Sequence, residues 1–291
     1  METRNSPLAA AGFMLVATVF IAGTTLMAKL AGKDLLGDPL HPFQITHGRF
    51  TFAFLAIGSF ALFRQLRITR PNLKLHVARS AAGFSGVTLM FAAATLIPLA
   101  DATAISFLNP VFAMLLAIPL LGERVGPWRW LSVAMALMGA LILIRPGASS
   151  FDPAALLALG AAALLGLETI FIKRLAGREA PLQILVVNNA IGLTIASCAV
   201  LFVWQSPTPA QWGVLAALGF MMASAQACYV QAIRRADASF VVPFSYATLI
   251  FAALYDFGLF GVAPGWLSAL GAGIIVAGGA ILAWREGRQA K

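Results

Sequence analysis

The stretch from Pro98 to Leu131, PLADATAISFLNPVFAMLLAIPLLGERVGPWRWL, opens with an apolar run long enough to cross a lipid bilayer. Parts of it return later in the chain. The Ala-Asp-Ala at 100–102 recurs at 236–238, and the Trp-Leu-Ser at 130–132 recurs at 266–268. Because both motifs return at the same offset, the sequence indicates an internal repeat, which decides the fold of the whole chain.

A further repeated motif relates the sequence KLAGKD at 29–34 to RLAGRE at 174–179. Together the repeated motifs predict two related halves, which we place at residues 1–147 and 148–291. Each motif borders an apolar segment about as long as a bilayer is thick, so we interpret both as membrane halves.

The composition favours a lipid environment. Of 291 residues, 60% are hydrophobic and 11% are charged, whereas a soluble domain carries about 25% charged residues. The net charge of +9 does not indicate nucleic-acid binding, because the basic residues lie in short connectors and not on one face. Cys198 and Cys228 lie in apolar runs and offer neither a disulfide framework nor metal-ligand spacing.

The hydrophobic pattern predicts an all-α membrane protein. The first apolar run is too long for a signal peptide, so we interpret it as the first span. Charged, Pro- or Gly-containing connectors separate successive runs. Ten transmembrane helices are expected, at 8–29, 43–63, 77–97, 101–121, 128–145, 153–173, 182–204, 210–233, 238–260 and 264–284.

The lysines and arginines predict the orientation, since they are enriched in cytoplasmic connectors. With the N-terminus inside, sixteen of the 20 basic residues lie on the cytoplasmic side and three lie outside. Both termini are therefore expected in the cytoplasm. Five spans per half is an odd number, so the second half enters the membrane from the opposite side. The predicted fold is two inverted five-helix repeats, with a site near the midplane as in many secondary transporters.

The motifs resemble those of the EamA-like, ten-span carriers of the drug/metabolite transporter superfamily, over essentially the whole chain. The resemblance rests on the two Ala-Asp-Ala motifs, on Asn109-Pro110, on the LGER at 121–124 and on the basic C-terminus. Relatives often repeat the Gly-Glu signature in the second half, but here Leu259 stands at the position equivalent to Glu123.

The resemblance implies a multi-pass carrier in the bacterial inner membrane that moves amino acids or similar small metabolites by alternating access. Export is the expected direction, and exporters of neutral amino acids are the best match. Uptake of another metabolite, such as an adenosyl compound, is the alternative.

Polar groups at membrane depth are the candidate site, because they are costly in lipid and usually face a cavity or a partner. Asn109 lies near the middle of the fourth span, and Ser245 and Tyr246 lie as deep in the ninth. Pro110 and Pro243 interrupt the same two helices. The pattern predicts a substrate-binding layer with bending points, or else two kinked helices whose polar groups bond their neighbours.

Arg49 is a basic residue well inside the second span, with His47 nearby. Its permanent charge needs an anion, water or a substrate carboxylate. Capture of a substrate carboxylate is the functional interpretation, and pairing with Asp256 or snorkelling is the structural one. His47 is a candidate for proton coupling or a packing residue.

Glu168 lies deep in the sixth span. It is a candidate coupling group for protons, or it pairs with Lys173 or with a neighbouring helix. Asn188 falls close to the repeat position of Arg49 and is a candidate substrate ligand, although an asparagine that bonds another helix is an equal alternative.

Gln226 and Tyr229 form a polar stripe on the eighth span and are candidate cavity residues. Gly83 and Gly86 allow close helix approach in the third span, and we expect bending there.

No cofactor, metal site or enzymatic activity is predicted, because the sequence contains no P-loop, nucleophile elbow, HExxH or paired Cys/His set. A membrane enzyme would need clustered His, Asp or Glu at one face, and a channel would favour a ring of like polar groups. The inverted repeat favours a carrier, whose flux saturates and shows counterflow.

Overall fold

The computed structural model describes residues 7–122, 126–144, 152–176, 178–233, 235 and 242–289, and no strand occurs among them. Glu123, Arg124 and Asp237, which carry part of the family resemblance, lie outside the described residues. The helices are α1 (Pro7–Ala31), α2 (Pro42–Phe63), α3 (Leu73–Leu96), α4 (Leu99–Ser106), α5 (Asn109–Leu121), α6 (Pro127–Ile144), α7 (Ala155–Ala176), α8 (Pro181–Val200), α9 (Pro209–Ile233), α10 (Ala247–Phe260) and α11 (Trp266–Gln289), with a 3-10 turn at Val242–Tyr246.

Seven spans among the described residues are long and apolar enough to cross a membrane, and the span Leu99–Leu121 combines α4 and α5. Shorter apolar segments lie in α6, α10 and α11. Large apolar side chains are also exposed, such as Phe63 at 83% and Phe202 at 89%. An apolar exterior suits lipid and would be unfavourable in water. The chain is therefore a multi-pass, all-helical membrane protein.

The fourth predicted span is broken, and not merely kinked. α4 ends at Ser106, two residues form a turn, and α5 begins at Asn109 with Pro110 in its first turn. A proline is tolerated there because the first turn has no intrahelical partner for its missing N–H. In the second half, the 3-10 turn that contains Pro243 precedes α10. The interruption predicted at Pro110 is present, and Pro243 lies in a 3-10 turn, next to residues outside the described ranges.

The helices of the two halves end alike. Gly122 follows α5 and Gly261 follows α10, with φ of +68° and +65°. Both glycines take the left-handed conformation, which ends a helix without the steric cost of a Cβ.

Helix pairs recur in equivalent sets. α1 packs on α9, and its counterpart in the second half, α7, packs on α3. In the same way, α1 contacts α10 and α7 contacts α5. α2 contacts both α8 and α9, while α8 contacts α2 and α3. These contacts have the pattern expected when two related halves face each other across a pseudo-two-fold axis.

Two glutamines tie α2 to α8 at opposite ends. The Gln44 amide donates to the Gln205 carbonyl at 2.6 Å and accepts from the Gln205 N–H at 3.2 Å. The Gln183 amide makes the same double contact with Thr69, at 3.1 and 2.9 Å. Each glutamine lies in the first turn of its helix, Gln44 in α2 and Gln183 in α8. Its partner follows the C-terminal end of the other helix. α2 and α8 are therefore antiparallel. We call the two ends of the bundle the Gln44 end and the Gln183 end.

Small residues let other helices approach closely. A Cβ on Gly139 of α6 would lie 2.6 Å from the Gly271 carbonyl oxygen of α11. A Cβ on Gly192 of α8 would lie 2.3 Å from the Phe50 ring of α2. The hydrophobic effect does not drive helices together in lipid, because lipid chains are as apolar as the helices. Close packing at such glycines is therefore a main source of helix association.

Candidate substrate site

Charged side chains from three helices lie inside the bundle, and two of them form an ion pair. Arg79 of α3 lies with its Nε 3.4 Å from Glu168 Oε1 of α7, and these side chains are 6% and 17% exposed. Arg79 also donates from Nη1 to the Ile184 carbonyl of α8 at 3.2 Å. Arg49 of α2 interacts electrostatically with both Arg79 and Glu168. The cluster therefore links α2, α3, α7 and α8.

Arg49 has the fewest polar partners of the three charged residues, although Arg79 Nε is itself buried without a hydrogen bond. Arg49 is 6% exposed and stacks its guanidinium 4.6 Å from the centroid of its neighbour Phe50. Among the described residues it makes no hydrogen bond and no ion pair within contact distance. A buried guanidinium carries five donors and needs an acceptor. Its donors are thus available to a bound anion.

Gly83 makes room for the Glu168 carboxylate. A Cβ at position 83 would lie 2.9 Å from the carboxyl carbon and 3.0 Å from each oxygen. One turn further along α3, a Cβ on Gly86 would lie 3.0 Å from Leu165 Cγ. The predicted close approach at these glycines is confirmed, and at Gly83 the neighbour is a charged group of the site.

A serine and an asparagine continue the polar cluster. Ser80 of α3 donates to Asn188 Oδ1 of α8 at 3.0 Å, and both residues are buried. The amide is therefore oriented with its NH₂ group away from the serine. Asn188 lies five residues after Gln183, just as Arg49 lies five residues after Gln44. The two halves thus contribute corresponding polar side chains on antiparallel helices.

The cluster has an excess of positive charge. Arg79 pairs with the Glu168 carboxylate, Arg49 acts on the same carboxylate electrostatically, and the serine and asparagine are neutral. A buried excess charge is unfavourable unless a counter-charge or water compensates it. An anionic group such as a carboxylate would complete the balance.

One structural alternative for Arg49, an ion pair with Asp256, is not the arrangement observed. Asp256 pairs with Lys29 of α1, and its second oxygen accepts from the Leu99 N–H. Of the alternatives for Glu168, the partner on a neighbouring helix is the one observed, and it is Arg79.

Three other predicted site residues have identified neighbours. His47 packs edge-on against Trp204, with ring centroids 6.2 Å apart. The Tyr246 ring lies 5.1 Å from the Phe107 ring, so it joins the two helix interruptions. Asn109 packs its backbone against Gly166, where a Cβ would lie 2.9 Å from the Asn109 carbonyl oxygen.

The remaining predicted residues have mixed surroundings. Gln226 holds a buried side-chain oxygen without a hydrogen-bond partner, whereas Tyr229 is 43% exposed. Pro110 is exposed, and the Ser245 carbonyl accepts from Thr248 at 2.7 Å. Pro243 lies in the 3-10 turn. The site roles of these residues stay predictions.

Arg79 is one of the sixteen basic residues counted on the cytoplasmic side from the sequence, so its place in the cluster was not predicted. Asn72 caps α3 by accepting from the Leu75 N–H at 3.2 Å, so Arg79 lies in the second turn of the helix. The Asn at 72, just before a helix-forming segment, was the available signal. Lys29 was counted on the outer side but is buried in the last turn of α1.

The model of the EamA-like transporter family matches residues 8–145 and again residues 152–284. The chain belongs to this family. The two matches cover both halves, which agrees with the internal repeat read from the sequence.

Curated relatives are named as metabolite transporters. The S-adenosylmethionine uptake transporter of Rickettsia bellii is 26% identical, over 91% of this chain and 90% of its own length. The riboflavin transporter of Vibrio cholerae is 28% identical, over 100% and 98%. The pseudopaline exporter of Pseudomonas aeruginosa is 24% identical, over 76% and 80%.

A solved crystal structure has the same fold, with a TM-score of 0.66 at 22% identity, over 96% of this chain and 99% of the other. The predictions of an EamA-like membrane transporter and of a non-enzyme are therefore confirmed. The finer prediction of amino-acid transport has no support in the names of these relatives.

Proposed function

We propose that the chain is a secondary carrier for a small metabolite that bears a carboxylate, and that Arg49 binds this carboxylate. The observation that carries the proposal is a buried guanidinium with no acceptor among the described residues, next to an ion pair that leaves one positive charge uncompensated. A substrate carboxylate would supply both the missing acceptors and the missing charge.

The symmetry of the fold supports alternating access. The equivalent contacts of α1–α9 and α7–α3, together with the antiparallel α2 and α8, fit two inverted five-helix repeats. In such repeats the site lies where the halves meet. Arg49 and Arg79 come from the first half and Glu168 and Asn188 from the second, so the cluster occupies this boundary.

The distribution of charge supports the predicted orientation. The connector between α2 and α3 lies at the Gln183 end and exposes several basic side chains, namely Arg64, Arg67 and Arg70. By the excess of Lys and Arg in cytoplasmic connectors, the Gln183 end faces the cytoplasm of the bacterial inner membrane, with both termini on the same side.

Glu168 provides a route to coupling. Its carboxylate and the substrate carboxylate would share the same two guanidiniums, so the two anions compete. A proton on Glu168 would remove one competitor and leave the arginines for the substrate. Under this proposal, Glu168→Gln carries out exchange but loses the response of transport to a pH gradient.

The substrate class includes amino acids and their conjugates. S-adenosylmethionine, which names several relatives, contains an α-amino-acid group and so belongs to it. Relatives are named both for uptake and for export. Export remains the predicted direction, and gradient-driven flux in vesicles measures it.

Counterflow in proteoliposomes tests the proposal. Four compounds are tested in separate vesicles: S-adenosylmethionine, phenylalanine, leucine and riboflavin. Each vesicle is loaded with the unlabelled compound, and the labelled form of the same compound is added outside. Transient accumulation of a carboxylate compound supports the proposal. Riboflavin lacks a carboxylate. If riboflavin accumulates and the other three compounds do not, the protein is still a carrier, but the proposed role of Arg49 is overturned. Flux without counterflow would indicate a channel.

A further inference from the structure

A buried ion pair holds three helices together at the Gln44 end, away from the central cluster. Lys29 of α1 and Asp256 of α10 are in contact, and their side chains are 3% and 1% exposed. The second oxygen of Asp256 accepts from the Leu99 N–H at 2.5 Å. Leu99 is the first residue of α4, so one carboxylate binds α1, α10 and the start of α4.

The surroundings exclude water from this pair. Lys29 Nζ lies 4.6 Å from the centroid of the Phe260 ring, and Lys33 Nζ lies 5.3 Å from the same ring. Leu99 and Ala252 are completely buried beside it, in a small apolar cluster. Separating such a pair inside the protein would leave two buried charges uncompensated, which is strongly unfavourable. The pair therefore opens only where water can reach both charges.

The corresponding contact at the Gln183 end is different. Arg174 occupies the position of Lys29 in the repeated motif and donates to the Leu120 carbonyl of α5. Both residues are exposed. Thus α7 meets α5 through an open contact to a neutral carbonyl, while α1 meets α10 through a buried pair of charges. These two corresponding contacts therefore differ in burial and in charge.

We propose that the Lys29–Asp256 pair, with the Leu99 amide, is the latch that closes the transport pathway at the Gln44 end. This inference rests on the proposed carrier function, because a latch has a role only where the site opens to each side in turn. When α1 and α10 part, both charges meet water and the α4 amide loses its cap. A single separation thus releases three helix ends together.

Distances between labels at the Gln44 end test the latch directly. Spin labels are placed at Asp34 and Pro264, which are exposed, after both native cysteines have been replaced. Pulsed electron resonance in nanodiscs then gives the distance distribution. Asp256→Asn keeps the shape and removes the charge, and we expect the longer-distance population to rise about tenfold relative to the shorter one. Lys29→Met should have the same effect, because it breaks the same contact.

Glu179→Gln is the matched control, since it removes a carboxylate contact with His76 at the opposite end. It should leave the distances between Asp34 and Pro264 unchanged. Wild-type distributions in both Asp256→Asn and Lys29→Met would overturn the latch. Equal lengthening in the control would do so as well, because the effect would then not be local.

A cross-link tests the same idea with the ion pair intact. Lys33→Cys and Phe260→Cys, after both native cysteines have been replaced, are bridged with a reducible bifunctional methanethiosulfonate across the ends of α1 and α10. Bridging should reduce counterflow about tenfold, and reduction should restore it. Unchanged counterflow in the bridged protein would overturn the latch. If the reduced protein moves no compound at all, the carrier proposal fails, whereas the label distances still decide whether the pair opens.

Discussion

Substitution of Gly83 by Ala places a methyl group against the Glu168 carboxylate. The new Cβ would lie 2.9 Å from the carboxyl carbon and 3.0 Å from both oxygens, so the side chain must move by several tenths of an ångström. The carboxylate is held by Arg79 at 3.4 Å. Movement away from Gly83 therefore changes the geometry of the charged cluster, while the backbone of α3 stays in place.

Two terms set the expected size of the effect. Overpacking in a closely packed interface costs about 1–3 kcal/mol. If the Arg79–Glu168 separation grows by about 0.5 Å, their attraction weakens by roughly 0.6 kcal/mol at an effective dielectric constant of about 20. The free energy of unfolding should thus fall by about 1–3 kcal/mol. Because a displacement of about 1 Å in an active geometry costs roughly a hundredfold, we expect transport to fall about tenfold.

Gly86→Ala is the matched control in the same helix interface. Its Cβ would lie 3.0 Å from Leu165 Cγ, a similar steric conflict with an apolar neighbour. Thermal unfolding of both variants in detergent should show similar losses of stability, whereas counterflow should fall further in Gly83→Ala. Equal counterflow in the two variants would refute the idea that Gly83 positions the carboxylate.

Three further predictions concern the scaffold. Gln183→Leu removes two hydrogen bonds to Thr69 and leaves their partners unpaired, so it should lower the free energy of unfolding by about 1–3 kcal/mol, and chemical denaturation measures this loss. Burial raises the pKa of Glu179, but hydrogen bonds from the Asn72 N–H, His76 and Gln183 outweigh it and hold the pKa below its usual 4.5. The ionised Glu179 therefore stabilises the folded protein above that pH, and this stabilisation is lost on acidification. The midpoint of thermal unfolding should thus fall less on acidification in Glu179→Gln than in the wild type. Gly139→Ala brings a Cβ to 2.6 Å from a backbone oxygen of α11 and should reduce the yield of folded protein on size-exclusion chromatography, since backbone cannot give way as a side chain can.

The apolar helices and the interruption at Asn109-Pro110 could be predicted from the sequence, because hydrophobic length and proline act locally. The run at 101–121 predicted α4 and α5, and Asn109-Pro110 predicted where the chain departs from one helix. Proline favours the first turn of a new helix over the interior of an old one, which explains a break in place of the expected kink.

The partners of charged residues could not be predicted. Arg49 and Asp256 both lie in spans, but pairing depends on which helices are neighbours and at what level, and no local pattern contains that information. α1 lies next to α10, so Lys29 and not Arg49 meets Asp256. Arg79 was counted on the cytoplasmic side by its charge alone, although a buried ion pair stabilises a charge inside the helix.

The central claim is that Arg49 binds a carboxylate of the substrate, and competition by matched analogues tests it most directly. Once counterflow has identified a carboxylate substrate, the free acid and its methyl ester compete for transport in the wild type and in Arg49→Lys and Arg49→Met. We predict that the wild type prefers the acid at least about tenfold, that Lys preserves part of this preference and that Met abolishes it. An equal preference for the acid in the wild type and in Arg49→Met would contradict the account.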